Sequence, residues 1–261
     1  MSMNEEQEKL LKVAQQKHRD TDFEAAQKIY VRLFKETGET SFAARANDMK
    51  RLAEIRPEFR HLRLSGLLLQ HLLDERDFQT VLDVGSGAGQ HAEMLRRHGK
   101  TVTEVDYGTS HYFKDGQQDA DAEILIGDFV TLSIEKLYDC VLASHVLEHQ
   151  PNVGAFLKKL HAVTREGGVV GISVPPLKHQ IVGGHLTLWN GGLLLYNMVL
   201  AGFDCRAAWL RKYAYNISLV VVKRSIEPQG LVYDSGDIGR IAEFLPEGFT
   251  EGFDGNISSI G

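Results

Sequence analysis

Residues 81–95 read VLDVGSGAGQHAEML: an apolar run, a turn spaced by glycines, then a segment with helical spacing. Val81, Leu82 and Val84 form the continuous apolar run of a buried strand. Gly85, Gly87 and Gly89 follow as G-x-G-x-G. Dinucleotide-binding loops space their glycines G-x-G-x-x-G, which requires glycine at position 90, where this chain has Gln90. The tighter spacing lets backbone approach a ligand that carries no pyrophosphate. Its N–H groups, with a helix start expected at about Ala88, can then face a carboxylate. A glycine turn alone also serves as a plain strand-to-helix connection, so the residues around it decide the reading. Asp106 ends the next apolar run, 17 residues beyond Gly89, where a carboxylate can accept both hydroxyls of a ribose. Asp128, followed by Phe129, ends the run after that and offers a polar contact beside an aromatic face.

Working outward, the runs TVLDVG, TVTEVD, AEILIGD, YDCVLASH and GGVVGISV alternate with helix-length segments such as 89–98 and 151–163. Apolar strands alternating with helices predict a parallel sheet covered on both faces. FDCRAAWLRKY and YNISLVVVK lie almost end to end and predict an antiparallel hairpin at the sheet edge. Residues 4 to 76 read as helical. Thr21 with Glu24 forms a capping-box signature. The face Phe23, Ala26, Tyr30, Leu33 and Phe34 follows, and Gly38 is a stop. A second helix is expected from a Ser41 cap to before Pro57, and HLRLSGLLLQHLLDER is a third, largely buried. Residues 225–261 are glycine-rich and acidic, with one short helical segment near 237–245.

The chain has 261 residues, 43% hydrophobic and 25% charged, enough for one large domain with an appendage. The net charge of −6 lacks the basic stripe of a nucleic-acid surface. Residues 225–261 hold seven acids against Arg240, which leaves the rest close to neutral. No apolar run has the length of a membrane span, and MSMNEEQEKLLK has no signal-peptide core. Cys140 and Cys205 lie in apolar segments, as suits buried thiols in a reducing cytoplasm.

Taken in order, VLDVGSGAGQ, VTEVD, IGDF, YDCVLASHVLEHQP and LHAVTREGGVVGISVP resemble the class I S-adenosylmethionine-dependent methyltransferases. The resemblance spans roughly residues 79 to 224, and VLEHQP most resembles the branch holding the ubiquinone-pathway O-methyltransferases. It implies a Rossmann-like α/β fold: a seven-stranded, mostly parallel sheet with an antiparallel last strand and helices on both faces. Residues 1–76 would form an N-terminal helical lid or oligomer contact, 77–224 the catalytic domain, and 225–261 a tail. Gly85, Ser86, Gly87 and Gly89 would line the methionine end of S-adenosylmethionine, above Asp83. Asp106 would hold the ribose, with Tyr107 beside the adenine and Asp128 and Phe129 flanking it. Ser144 and His145 would approach the sulfonium.

The stretch ASHVLEHQP places His145, Glu148 and His149 within five positions. Such a trio can hold a metal, move a proton or simply pack. Glu148 can also charge-stabilise a helix starting near Pro151, and His149 can donate to a backbone carbonyl. Some relatives in the wider group carry E-x-x-E-H here and bind a divalent metal with it. This chain has His145 in the first place, so no metal ligand is assigned. An inverted zinc-protease motif has the same letters but needs them mid-helix. Methyl transfer to a hydroxyl needs a base, and His149, His145 and His185 are the candidates. In residues 175–203, His179, His185, Trp189 and Asn190 are candidate pocket residues, with Gly183 and Gly184 loosening the approach.

The expected activity is methyl transfer from S-adenosylmethionine, leaving S-adenosylhomocysteine, to a small-molecule oxygen such as that of a sugar, glycan or lipid precursor. A cofactor-binding scaffold without turnover is the alternative. A nicotinamide-dependent oxidoreductase is disfavoured by Gln90.

Overall fold

The computed structural model describes residues 3–62, 64–116 and 122–261. The chain divides into two compact units, Met1–Gln70 and His71–Gly261.

The first unit holds α1 (Glu5–Arg19), α2 (Phe23–Thr37) and α3 (Thr40–Ala53), and α4 (Gly66–Glu75) begins in it. Asn4 and Gln7 form a reciprocal capping box at the start of α1. The predicted face of α2 is buried at Phe23, Ala26, Tyr30 and Leu33, while Phe34 is partly exposed. Its cap is Asp22, not Thr21: the Asp22 carboxylate accepts the Ala25 N–H at 3.3 Å, and Thr21 has a left-handed backbone, φ 59°. Glu24, the expected capping partner, is taken by Arg60 at 2.8 Å. Gly38 ends the helix in the left-handed conformation, as expected. Ser41 lies inside the first turn of α3, its hydroxyl donating to the Glu39 carboxylate, and Glu39 occupies the cap position.

The second unit is built on one sheet. Its strands are β1 (Thr80–Val84), β2 (Thr101–Asp106), β3 (Glu123–Ile126), β4 (Tyr138–Ser144), β5 (Thr164–Val174), β6 (Trp209–Tyr213), β7 (Asn216–Val222) and β8 (Ser259–Ile260). Their spatial order is β3-β2-β1-β4-β5-β7-β6-β8. β1 to β5 pair in parallel, and β7 runs antiparallel between β5 and β6. The helices are α5 (Gln90–Arg97), α6 (His111–Asp115), α7 (Val153–Val163), α8 (Gly191–Leu200) and α9 (Asp237–Ile241). Val81, Leu82, Val84, Val141, Leu142, Val170, Ile172 and Leu219 are all buried, as strands covered on both faces require. Cys140 and Cys205 are buried free thiols, and burial pushes both well above the ordinary thiol range. Among the described residues no helix is long and apolar enough to cross a membrane.

The sheet has one strand beyond the seven expected, and it comes from the segment read as a tail. β8 pairs with β6 through Leu210 and Arg211, and the Arg211 guanidinium donates to the Ile260 and Gly261 carbonyls at 2.7 Å. Farther back, the Gly192 N–H donates to the Gly255 carbonyl at 2.9 Å, and the Asn190 amide donates to the Asp254 carbonyl at 3.0 Å. The approach is close enough to exclude a side chain. A Cβ on Gly255, whose φ is +73°, would lie 2.4 Å from Asn190 Oδ1. Gly255→Ala should therefore combine left-handed strain with overpacking and cost about 2–4 kcal/mol. Urea denaturation measures the loss, and hydrogen exchange should localise it to residues 254–261 and the start of α8.

Candidate functional site

In the sheet, β1 leads outward to β2 and β3 on one side, and β4 leads to β5 on the other. The connections after β1 and β4 therefore diverge and leave a crevice beyond the strand ends, the place where open α/β sheets bind ligands. The loops that follow these strands carry Gly85–Gly89, Asp106–Tyr107, Asp128, His145–His149 and Pro175–Trp189.

Gly85, Gly87 and Gly89 all have left-handed backbones, which glycine adopts without strain. The turn is closed by Gly89 N–H to the Ser86 carbonyl, 2.9 Å, and anchored by Gly85 N–H to the Val105 carbonyl, 2.7 Å. Gly89 is the cap residue of α5, so the helix starts two positions later than expected. Asp106 is bound into the loop: Oδ2 accepts the Gly87 N–H at 3.0 Å and Oδ1 the Gly108 N–H at 2.9 Å. Each oxygen keeps lone-pair capacity for a further donor.

Asp83 lies beneath, 1% exposed, in register with Glu104 of β2. Burial and then the Glu104 charge push its carboxyl up to about 8, against the opposing pull of Arg96. Arg96 instead pairs with Glu104 at 2.8 Å. Asp83 Oδ2 and Ser86 Oγ are buried without hydrogen-bond partners among the described residues. Buried polar atoms are rarely left unpaired, and these two sit at the glycine turn.

Asp128 accepts the Val130 N–H at 2.9 Å. Burial, then Asp128, raises the Tyr107 phenol above its ordinary value. Phe129, expected to flank the adenine, is 4% exposed and packs edge-on to Phe156 with centroids 5.2 Å apart. Exposed Tyr107 is the aromatic face available at this end of the crevice.

Ser144 ends β4, and His145 follows with φ +55°, a strained conformation for a side-chain-bearing residue. Three contacts hold it there: its N–H donates to the Ser173 carbonyl at 2.8 Å, Nε2 meets Asn216 Oδ1 at 2.9 Å, and its ring stacks on Tyr215. The Asn216 amide nitrogen donates to the Tyr213 carbonyl. Its oxygen therefore faces His145, and Nε2 carries the hydrogen. His145 Nδ1 points at Glu148 Oε1, 3.3 Å away. The Nε2–H is thus committed to Asn216, and the Nδ1 lone pair faces the Glu148 carboxylate.

Glu148 is 1% exposed and does not stabilise the next helix, whose cap is Asn152. Its Oε2 is buried without a partner among the described residues. The Glu148 carbonyl accepts the N–H groups of Leu186 and Thr187 at 2.8 and 3.2 Å, which draws the later loop onto this turn. His149 Nδ1 donates to the Gly184 carbonyl at 2.7 Å, leaving the Nε2 lone pair 3.8 Å from Glu148 Oε1. His185 stands edge-on to His149, centroids 5.0 Å apart. Burial lowers its pKa below the ordinary imidazole value, and His149, His145 and Lys178 lower it further against Glu148. Donor atoms of Glu148, His149 and His185 all lie within 4.8 Å of one another. Sequence spacing did not bring His185 into this group; the glycine pair before it was the available signal.

A cavity of about 230 Å³ opens beside this cluster, lined by Pro175, Lys178, His179, His185, Trp189 and Tyr215 among others. Lys178 lies over the Tyr215 ring. Asn190 does not line it: its side chain caps α8, accepting the Leu193 N–H at 2.8 Å.

A family described as "Methyltransferase domain" matches residues 55–212. The ubiquinone biosynthesis O-methyltransferase of Bradyrhizobium diazoefficiens is 36% identical over 98 residues, 36% of this chain and 38% of that one. The enzyme of the same description from Methylocella silvestris is 33% identical over 118 residues, 42% of this chain and 46% of that one. The chain thus spans less than half the length of these curated relatives. Among solved structures, a Burkholderia thailandensis 1,6-didemethyltoxoflavin-N1-methyltransferase, with S-adenosylhomocysteine bound, superposes with TM-score 0.50 at 20% identity, over 72% of this chain and 87% of that one. At that identity the likeness speaks to the fold.

Asp83 generates a pH test. The unfolded chain releases its proton near the ordinary value of 3.8, whereas the native state keeps it to about 8. Native stability should therefore fall as pH rises between those values. Asp83→Asn removes the titration. In the ligand-free protein its Tm advantage over wild type should be small at pH 4 and grow towards pH 8. A constant difference across thermal melts in that range would place the proton elsewhere.

Proposed function

The chain belongs to the family of methyltransferase domains, and on that premise we propose that it transfers a methyl group from S-adenosylmethionine to the oxygen of a small-molecule acceptor. The observation that carries this reading is the pairing, across one crevice, of a glycine turn holding orphaned Asp83 and Ser86 with an imidazole cluster beside a cavity. The relatives described as O-methyltransferases support oxygen as the acceptor atom.

Bound there, the cofactor supplies a methyl group on a positively charged sulfur, a good leaving group. The chain's tasks are then alignment, exclusion of water and removal of a proton. Asp83 and Ser86, with the glycine-turn backbone, receive the amino-acid end. An ammonium group beside Asp83 would favour the ionised carboxylate that the empty fold disfavours. The free lone pairs of Asp106 accept the ribose hydroxyls. Tyr107 and Asp128 face the adenine, and the Ser144–His145 turn borders the reacting centre. The acceptor lies in the cavity by Tyr215, Pro175 and Trp189, which suits a hydroxyl carried on a phenol or sugar ring. Activation of that hydroxyl falls to the group formed by His149, His185 and Glu148.

The reading is tested by following S-adenosylhomocysteine release with phenolic and sugar hydroxyl acceptors. Asp106→Ala should weaken S-adenosylhomocysteine binding about 10- to 100-fold, the worth of hydrogen bonds to a charged group. His149→Ala should lower turnover about 100-fold or more while leaving that affinity within about threefold. Because His185 stays neutral below the ordinary imidazole range, the acid limb of turnover should fall below pH 6.5. Tight nicotinamide-cofactor binding with no affinity for S-adenosylhomocysteine would overturn the assignment.

A further inference from the structure

We propose that the cavity between the start of α8 and residues 234–255 binds a small organic cation, an alkylammonium whose apolar substituents rest on its aromatic lining. The site goes beyond the methyl-transfer reading and does not depend on it. It shares no lining residue with the cavity beside the imidazole cluster. It is built from the acidic segment that the methyl-transfer reading leaves without a role.

The cavity has a volume of about 360 Å³, within the range of about 300–1,000 Å³ usual for small-molecule sites. Leu193 and Tyr196 of α8 line it, together with Phe249 and Phe253. The two phenylalanines stand edge-on, centroids 5.4 Å apart. Leu193 is 44% exposed and Phe253 40%, so this apolar lining is open to a ligand. The Gly192–Gly255 and Asn190–Asp254 hydrogen bonds hold the segment on α8, which makes the cavity part of the folded second unit.

The charge around the lining has one sign. Asp234, Glu251 and Asp254 border the cavity, and among the described residues no lysine, arginine or histidine lines it. Each of these carboxylates is held by a backbone N–H: that of Ser235 on Asp234 at 2.7 Å, of Gly236 on Glu251 at 3.2 Å, and of Asn256 on Asp254 at 2.8 Å. The second oxygen of each keeps its acceptor capacity. Arg240, the one base in residues 225–261, pairs with the buried Asp237 at 2.9 Å instead. The negative field reaches the lining itself. Burial raises the Tyr196 phenol above its ordinary value, and Asp237, Glu251 and Tyr233 raise it further.

The same surroundings argue against other occupants. A helix start attracts anions, but the first N–H groups of α8 are already used: Gly192 on the Gly255 carbonyl, Leu193 on Asn190 Oδ1 and Leu194 on the Asn190 carbonyl. Among the described residues these acids form no group close enough to ligate one metal ion. An ammonium with apolar substituents suits both parts of the cavity. Its charge is drawn to the carboxylates, and its methyl or methylene groups meet aromatic rings, which attract cations.

The test uses the full chain, titrated with choline chloride and followed by calorimetry and by amide chemical shifts. One equivalent should bind, with shift changes gathered in residues 190–196 and 249–255. 3,3-Dimethyl-1-butanol, which has the shape of choline without its charge, should bind at least about threefold more weakly, the lower end of the range for a cation against aromatic rings. Glu251→Gln and Phe253→Leu should each weaken choline binding by at least about threefold. Glu251→Gln retains an acceptor for the Gly236 N–H, so it preserves the loop should circular dichroism show that Phe253→Leu does not. Absence of choline binding, or shift changes confined to the His145–His149 turn, would overturn the site. So would a neutral isostere or a folded variant that binds within about threefold of choline on the wild-type chain. None of these results bears on S-adenosylhomocysteine affinity, which tests the methyl-transfer reading separately.

Discussion

Gly85 and Val146 touch where the sheet reverses direction: a Cβ on Gly85 would stand 2.2 Å from Val146 Cγ2. No side chain fits between the turn after β1 and the turn after β4. The geometry of the crevice rests on that approach. It brings the glycine turn and the His145–His149 turn within reach of one ligand, so the two halves of the candidate site are positioned by backbone packing. The parallel pairing of β1 with β4 sets the height at which both turns emerge. The left-handed conformations of Gly85 and His145 then turn the chain out of each strand.

The same edge concentrates buried charge. Asp83, Glu104 and Glu148 are each 1% exposed or less, and each has one carboxylate oxygen without a partner among the described residues. The fold relieves only part of this. Arg96 neutralises Glu104, and Asp83 keeps its proton to about pH 8. Glu148 has two imidazole nitrogens near Oε1 and, among the described residues, no hydrogen-bond partner on Oε2. Unpaired groups of this kind lower stability and are tolerated where a ligand completes them. Their location on one crevice connects the energetics of the empty fold with binding.

Much of this was legible in the sequence, for physical reasons that also mark where it stopped. β1, β4 and β5 are buried on both faces and nearly continuously apolar, so they were visible in hydrophobic pattern; β2 and β3, with TVTEVD and EILI, were visible through their alternation with helices. The glycine turn and Asp106 were visible because backbone conformation and strand-end position constrain residue type. The eighth strand was not: two residues have no periodicity, and their pairing depends on Arg211 reaching the last carbonyls. Phe129 packs against Phe156 in the core, a direction that its place after a strand end does not determine. Thr21 is not the cap because its backbone is left-handed and Asp22 accepts the Ala25 N–H instead, a choice that capping spacing does not distinguish.

H-x-x-E-H illustrates the difference between a motif and a site. On an α-helix, positions i, i+3 and i+4 share a face and would present all three side chains to one point. Here the motif starts on a left-handed residue and continues into a 3₁₀ turn, Leu147–His149, so that common face does not exist. His145 Nε2 turns towards Asn216 of β7, beyond β5 in the sheet, and His149 towards the loop after β5, with the Glu148 carboxylate between them. The third member of the cluster comes from that loop, held by two N–H groups on the carbonyl of Glu148 itself. One residue thus supplies a carboxylate to the cluster and, through its backbone, recruits the imidazole that completes it. Spacing along the chain grouped Glu148 with His149; His185, a candidate from the sequence, joins them only through the hydrogen bonds of their turn.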